Sequence, residues 1–374
     1  MGWGHATTDR PERDARMSRQ SGIPVAVARA RGAAMIAPLA LLLFAPAAAH
    51  APGDLRTFTD WIMGCDNQRA CQAVALVPDD ADGDGYLMLV LRRDGAASAP
   101  AQLQVPVPDA VAAGARLSFA VDGTPVAQIV APGKGAGLAL PFEGAIRAAL
   151  LGGRQATLSD ARGRTLARAS LAGLSASLLA VDEAQQRVGT RTALVRPGAR
   201  PATAVPPVPP LPVIRQAPAL VAPPRTISPK EAAQLIGRDN ASCQYAIGPV
   251  KPKSYRLDAT HSLIAIEHPC GNGAYNIYTS LFVAGDKGKP APAILDAPAT
   301  FGNSPVNQVV NGDWDARTRR LTSFVRGRGL GDCGSRQAFA WDGARFRLVE
   351  QAQMGECRGA YDYITTWRAR VAVN

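Results

Sequence analysis

Trp61-Ile62-Met63-Gly64-Cys65-Asp66-Asn67-Gln68-Arg69-Ala70-Cys71-Gln72-Ala73-Val74-Ala75 is the stretch that decides the fold class. Trp61, Met63 and Cys65 alternate and so share one face of a strand, Asp66 and Asn67 are turn formers, and Cys71 leads into Ala73 and Ala75. The passage reads as strand, turn, strand. A disulfide between Cys65 and Cys71 would close this hairpin and contribute roughly 2 kcal/mol through loop-closure entropy.

Working outward, the same signals repeat. Tyr86 to Leu91 is a continuous apolar run suited to a strand buried on both faces, Leu103, Val105 and Val107 alternate, and Leu117, Phe119 and Val121 alternate before the hairpin turn Asp122-Gly123. Gln155 to Ser159 and Arg164 to Leu171 read as two further strands. Two short helices interrupt them, Phe142 to Leu151 and Ser175 to Arg187, the second capped by Ser175 and ended by Gly189. The expected unit over residues 50–196 is a β-sandwich with small helical insertions.

Residues 197–229 hold Pro206-Pro207-Val208-Pro209-Pro210 and Pro223-Pro224, which favour extended chain and read as a semi-rigid Pro-rich linker without a packed helix or central strand. Beyond it, Ser228-Pro229-Lys230-Glu231 is a capping box with proline at the first helical position, so a helix should run to Ile236 before Gly237. Strands follow at Leu263 to Ile266, Tyr275 to Val283, Leu321 to Arg326, Gln337 to Trp341 and Arg345 to Val349, with Asp342-Gly343 turning the last pair. Residues 230–374 are expected to form an antiparallel meander behind one leading helix. The fold class is therefore mainly β, in two β-rich domains.

Residues 1–49 carry Arg29 and Arg31, an uncharged apolar core through Leu39, Leu41, Leu42, Leu43 and Phe44, and the small residues Ala47-Ala48-Ala49. That is the pattern of a secretory signal, whose leading stretch is long enough that translation could start at Met17. Its apolar core is shorter than the roughly 20 residues that span a bilayer, so no transmembrane anchor is expected after its removal. A periplasmic or secreted location follows, and with it oxidised cysteines. Six cysteines allow 15 pairings; the sequential one, Cys65 with Cys71, Cys243 with Cys270 and Cys333 with Cys357, keeps each bridge inside one domain.

Removing residues 1–49 takes away six arginines and three acids and leaves a net charge of about +8. The positive charge is spread along the chain, which suits an anionic envelope or extracellular partner, whereas no nucleic-acid reading motif accompanies it. Arg326, Arg328, Gly329 and Gly331 lie in a glycine-rich turn that could form an anion-binding nest, and a Cys333–Cys357 bond would bring Arg358 beside it. The same segment also reads as a glycine-dependent turn locked by a disulfide. Trp314, Trp341, Tyr361, Tyr363 and Trp367 read as core residues or as an aromatic binding face.

Other chemistries are poorly represented. Asp80, Asp82 and Asp84 match the first half of a calcium loop, but position twelve is Leu91 where a bidentate Glu is needed, so a solvated turn is expected. His50, exposed by cleavage, could chelate copper with its own amino group, yet the other mature histidines, His261 and His268, lie beyond the Pro-rich stretch. No cofactor or metal is expected. There is no GxSxG elbow and no phosphate loop with its Lys-Ser/Thr, so the chain is expected not to be an enzyme. Three functions remain in order: a binding protein for an envelope or extracellular component, an inhibitor or modulator of an envelope enzyme, and a glycan-directed hydrolase using dispersed carboxylates. Two carboxylates about 5 to 9 Å apart in a cleft would favour the last.

Trp61 with Cys65-Asp66-Asn67 and Cys71, then Ser170-Leu171-Ala172-Gly173, Asp182 with Gln185 and Arg187-Val188-Gly189-Thr190, Gly273-Ala274-Tyr275-Asn276, Gly327 to Gly334, Trp341-Asp342-Gly343 and Cys357-Arg358-Gly359 run in order along nearly the whole mature chain. In these elements the chain resembles the exported bacterial family catalogued as domain of unknown function 1176. The N-terminal half, in its Trp and Cys opening and in Leu117 to Gly123, is similar to the invasion-associated locus B family. The resemblance implies export and a β-rich fold, and neither family supplies catalytic residues to carry over.

Overall fold

A computed structural model describes residues 52–81, 85–134, 137–237, 250–300 and 306–373. The expected signal over residues 1–49 lies outside them, as do His50, Asp82, Asp84 and Cys243.

The N-terminal half carries strands β1 (Leu55–Phe58), β2 (Trp61–Cys65), β3 (Cys71–Ala75), β4 (Val90–Arg93), β5 (Ala101–Pro106), β6 (Arg116–Val121), β7 (Thr124–Val130), β8 (Gly137–Pro141), β9 (Gln155–Asp160) and β10 (Thr165–Ser170). Helices α1 (Gly144–Gly152) and α2 (Leu174–Ala184) are inserted among and after them. The first sheet has the order β1-β2-β3-β4-β5-β8 and the second β10-β9-β6-β7. Trp61, Met63, Leu91 and Leu103 of the first meet Leu117, Phe119, Leu158 and Ala167 of the second, with Leu174, Leu178 and Val181 of α2 closing the same core. The Asp122-Gly123 turn is a true hairpin, with φ of 47° and 80° at its two residues.

Several local readings differ; one is that α2 ends at Ala184 with Gln185 as its C-terminal cap, short of Arg187 and Gly189. The strand expected from Tyr86 begins only at Val90, because the backbone of Tyr86 and Leu87 turns to Arg168 of β10 while Leu87 and Leu89 enter the core. Helix α2 is not capped by Ser175, whose hydroxyl donates to the Leu151 carbonyl (3.3 Å); the cap is Gly173, at φ 92°. A Cβ there would lie 1.8 Å from the Phe58 carbonyl oxygen, so this close approach admits only glycine.

The Pro-rich stretch is not a free spacer. Residues Val213–Gln216, which contain no proline and keep their N–H donors, form β11 and pair in parallel with β22 (Arg370–Val373). Upstream, proline carbonyls remain acceptors, and Arg69 donates to those of Pro206 (2.8 Å) and Pro207. The stretch is a strap laid along the fold.

In the C-terminal half, α3 (Pro229–Ile236) has both hydrogen bonds of the expected capping box and ends at Gly237. Strands β12 (Pro252–Arg256), β13 (His261–Glu267), β14 (Tyr278–Gly285), β15 (Ala291–Pro292) and β16 (Gln308–Val310) form one sheet. A second is a meander in chain order, β17 (Asp313–Asp315), β18 (Arg320–Arg326), β19 (Gly334–Trp341), β20 (Phe346–Met354) and β21 (Ile364–Arg368). Leu263, Leu281 and Val309 of the former pack on Trp314, Leu321 and Phe339 of the latter. Trp341 and Trp367 join this core, while Tyr361 is 56% exposed.

β2 and β3 are buried along nearly their whole length, which an outer sheet would not be. The cause is a second apolar layer. Ile62, Val74, Leu76 and Val90 pack against Met354, Ala360, Tyr363 and Ile364, so the two halves share an apolar seam. Its rim is polar: Thr365 N–H donates to Gln72 Oε1 (2.9 Å), Asn67 exchanges two hydrogen bonds with Arg368, and Arg368 pairs with Asp66 at 2.9 Å.

Candidate functional site

The loop Gly327–Cys333 joins β18 to β19 beside the seam. Cys333 and Cys357 are disulfide-bonded, with Cα atoms 4.8 Å apart, and this ties the loop to the chain after β20. Cys65 and Cys71 are bonded across the β2–β3 hairpin, where they are directly paired. Cys270 is also in a disulfide.

The loop is held at its base, middle and tip. Gly327 N–H donates to Cys333 O (2.9 Å) and Gly331 N–H to Arg328 O (3.0 Å). The Tyr363 hydroxyl donates to Gly331 O (3.1 Å). Gly334 sits at φ 136° with its Cα against β18, where a Cβ would be 2.0 Å from Val325 O. The Asp332 side chain is wholly buried and accepts from Arg328 Nε (2.8 Å) and from Gly359 N–H (2.7 Å). The Arg328 hydrogen bonds hold its carboxyl below the ordinary carboxylate range and raise the guanidinium in turn.

The five residues singled out from sequence therefore part company. Gly329 and Gly331 shape the loop, and Arg328 is committed to Asp332. Arg358 does lie at the disulfide, but it faces the N-terminal half, donating to Val77 O (2.7 Å), Thr59 O (2.8 Å) and Asp60 (2.6 Å). It is a cross-seam latch with its donors occupied. Arg326 is different: its guanidinium lies 5.0 Å from the centre of the Phe324 ring, and its buried Nε has no hydrogen-bond partner among the described residues.

A residue that sequence reasoning passed over completes the group. Arg336 lies 4.6 Å from the Phe324 ring centre and 4.4 Å from that of Tyr363. Neither Arg326 nor Arg336 has a carboxylate partner among the described residues. A signal was present: Arg326 pairs with Gly334 at the loop ends, and counting back two residues along each strand places Phe324 opposite Arg336. Leu330 at the loop tip is 66% exposed, Tyr361 and Tyr275 are exposed too, and the Tyr275 ring lies beside Gly329 of the loop. The arrangement offers two cations on rigid aromatic supports beside exposed apolar groups.

The remaining candidates lie elsewhere. Asp80 is exposed on a turn, and Leu91 is in the core of β4, away from any cation-ligand role. His261 is hydrogen-bonded through Nδ1 to Asp258 (2.9 Å), which also accepts from Trp341 Nε1 (2.6 Å). Burial opposes ionisation of Asp258, but the hydrogen bonds from Trp341, Thr260 and His261 outweigh it and keep the carboxyl below its usual range. His268 Nε2 and the Ser280 hydroxyl are 2.8 Å apart inside the fold.

The uncharacterised protein YpfG of Escherichia coli (strain K12) is 30% identical over 340 residues, covering 84% of this chain and 93% of its own length. Among solved structures, the invasion associated protein B from Bartonella henselae matches 36% of this chain and 99% of its own, at 18% identity and a TM-score of 0.28. A family match spans residues 55–370, and the chain belongs to that family, described as Protein of unknown function (DUF1176).

Proposed function

We propose that the protein is an exported, non-catalytic binding protein for an envelope or extracellular partner that presents anionic groups, and that it docks through the Gly327–Cys333 loop and the adjoining rack. The observation that carries this reading is the pair of guanidiniums, Arg326 and Arg336, stacked on Phe324 and Tyr363 without a carboxylate among the described residues. Guanidinium planes supported on rings keep their N–H edges available for planar anions. Disulfides within the described fold support an oxidising compartment. The side-chain pairs that look most like catalytic sets, Asp258–His261 and Ser280–His268, support a non-catalytic reading because both serve internal hydrogen bonds.

The test is affinity capture from envelope extract with the unaltered protein and with Arg326→Ala/Arg336→Ala. A partner retained by the first and lost by the second is the expected result; an identical captured set with both would end this reading. A second function, inhibition of an envelope enzyme, is favoured by one feature, Leu330 held exposed at the tip of a loop fixed by a disulfide and by Asp332. Substitution of Leu330 by Asp should then abolish inhibition of the captured enzyme.

A further inference from the structure

The C-terminal sandwich is unequal at one edge. Its first sheet extends through five-residue β12, whereas the facing sheet ends in three-residue β17. One face of the first sheet is covered by α3, with Ile264, Ile266 and Phe282 against Ala232. On the other face a cleft of about 50 Å³ opens among residues of β12, β13, β14 and β17.

Tyr255, Ala265 and the small exposed part of Trp314 are the apolar groups that line it, above the buried core residues Leu263, Leu281, Val309 and Leu321. Its rim carries Lys251, Lys253, Glu267 and Asp313, all exposed. None of the four makes an ion pair with another described residue, although two cations and two carboxylates line one opening. Lysines on an edge strand commonly deter strand addition, which accounts for Lys251 and Lys253 but not for the carboxylates beside them.

We propose that this cleft binds a zwitterionic α-amino-acid unit with a small aliphatic side chain. The balanced rim gives no net attraction to a singly charged ligand, but it can meet an ammonium with Glu267 and Asp313 and a carboxylate with Lys251 and Lys253. The volume is about a third of the ~150 Å³ apolar cavity that admits benzene. It therefore suits an alanine or valine side chain against Trp314, not a sugar ring or an acyl chain. The ligand is a free amino acid, because the terminal residue of a peptide keeps only one of the two charges on its α-carbon.

Isothermal titration of the full, disulfide-intact protein would use valine, N-acetylvaline, valinamide and dipeptides of valine. Saturable binding of valine is expected, with both blocked derivatives about tenfold weaker or worse, since each has lost one pole. Dipeptides of valine, whose two charges sit on different residues, are expected to bind more weakly as well, and dipeptides binding as well as valine would overturn the proposal. Glu267→Gln and Lys253→Met, both at exposed positions, should each weaken valine binding about tenfold without moving the melting temperature. Absence of saturable heat at millimolar valine, equal binding of blocked and free forms, or full binding by both folded variants would overturn the proposal. Should either variant fail to fold, the comparison of blocked and free ligands on the unaltered protein decides alone.

Discussion

Arg187 in the N-terminal half and Arg336 in the C-terminal half place the same guanidinium in opposite settings. Arg187 is wholly buried and donates to Gln185 Oε1 (2.8 Å), Ala97 O (2.8 Å), Thr192 Oγ1 (3.0 Å) and Ala96 O, stitching the end of α2 to two loops. Asp182 beside it accepts from Leu194 and Val195 N–H, and burial pushes its carboxyl upward. Burial, reinforced by the charge of Arg187, also pushes Arg93 down to about 10. Arg336 touches rings and is exposed. A guanidinium whose donors are met by buried acceptors of the fold is a fastener; one supported on aromatic faces remains able to recognise something else. The motif residues Asp182, Gln185 and Arg187, on which the family resemblance partly rests, belong to the first kind.

The sharpest way to break this contrast is Arg187→Ala, which strands several buried acceptors and should cost about 4 kcal/mol in denaturant unfolding, with Lys unable to substitute. Arg358→Ala comes next. It leaves Asp60 unpaired at a position where both side chains are little exposed, and a loss of about 3 kcal/mol in the same measurement is expected. A smaller effect concerns acid. Because the folded Asp332 carboxyl lies below its ordinary value near 3.8, its stabilisation is complete above that pH and is lost as pH falls below it. Asp332→Asn should therefore be less stable at neutral pH and show a shallower decline on acidification, read from unfolding midpoints against pH. Least of all, Arg326→Ala and Arg336→Ala should each change stability by about 1 kcal/mol or less. Melting of either variant far below the unaltered protein would place these arginines with the fasteners and remove the contrast.

Much of the local structure was legible. The Cys65–Cys71 hairpin, the Asp122-Gly123 turn and the Ser228–Glu231 capping box each depend on residues close in sequence, so their signatures survive without tertiary context. The strap, the seam and the latch were not, since each joins segments far apart in the chain. Arg358 next to Cys357 looked like a pocket cation because the Thr59, Asp60 and Val77 groups it meets are almost 300 residues away. The apolar run through Val90 signalled burial of β4 on both faces but not what would cover it, and the cover that Ile62 and Val74 also share was unread. Arg336 was hidden for a subtler reason: its role depends on cross-strand register, which the loop ends fix only once the loop itself is known.

The strap has a mechanical consequence. Since the apolar seam, the Arg358–Asp60 pair and the grip of Arg69 on the Pro206 and Pro207 carbonyls all join the halves, the peptide bonds between Pro197 and Pro212 are not what keeps the two halves together. A protease cutting there should yield two fragments on a denaturing gel that still migrate as one particle in native chromatography, so survival of the intact polypeptide and survival of the assembled molecule are separate questions for this protein.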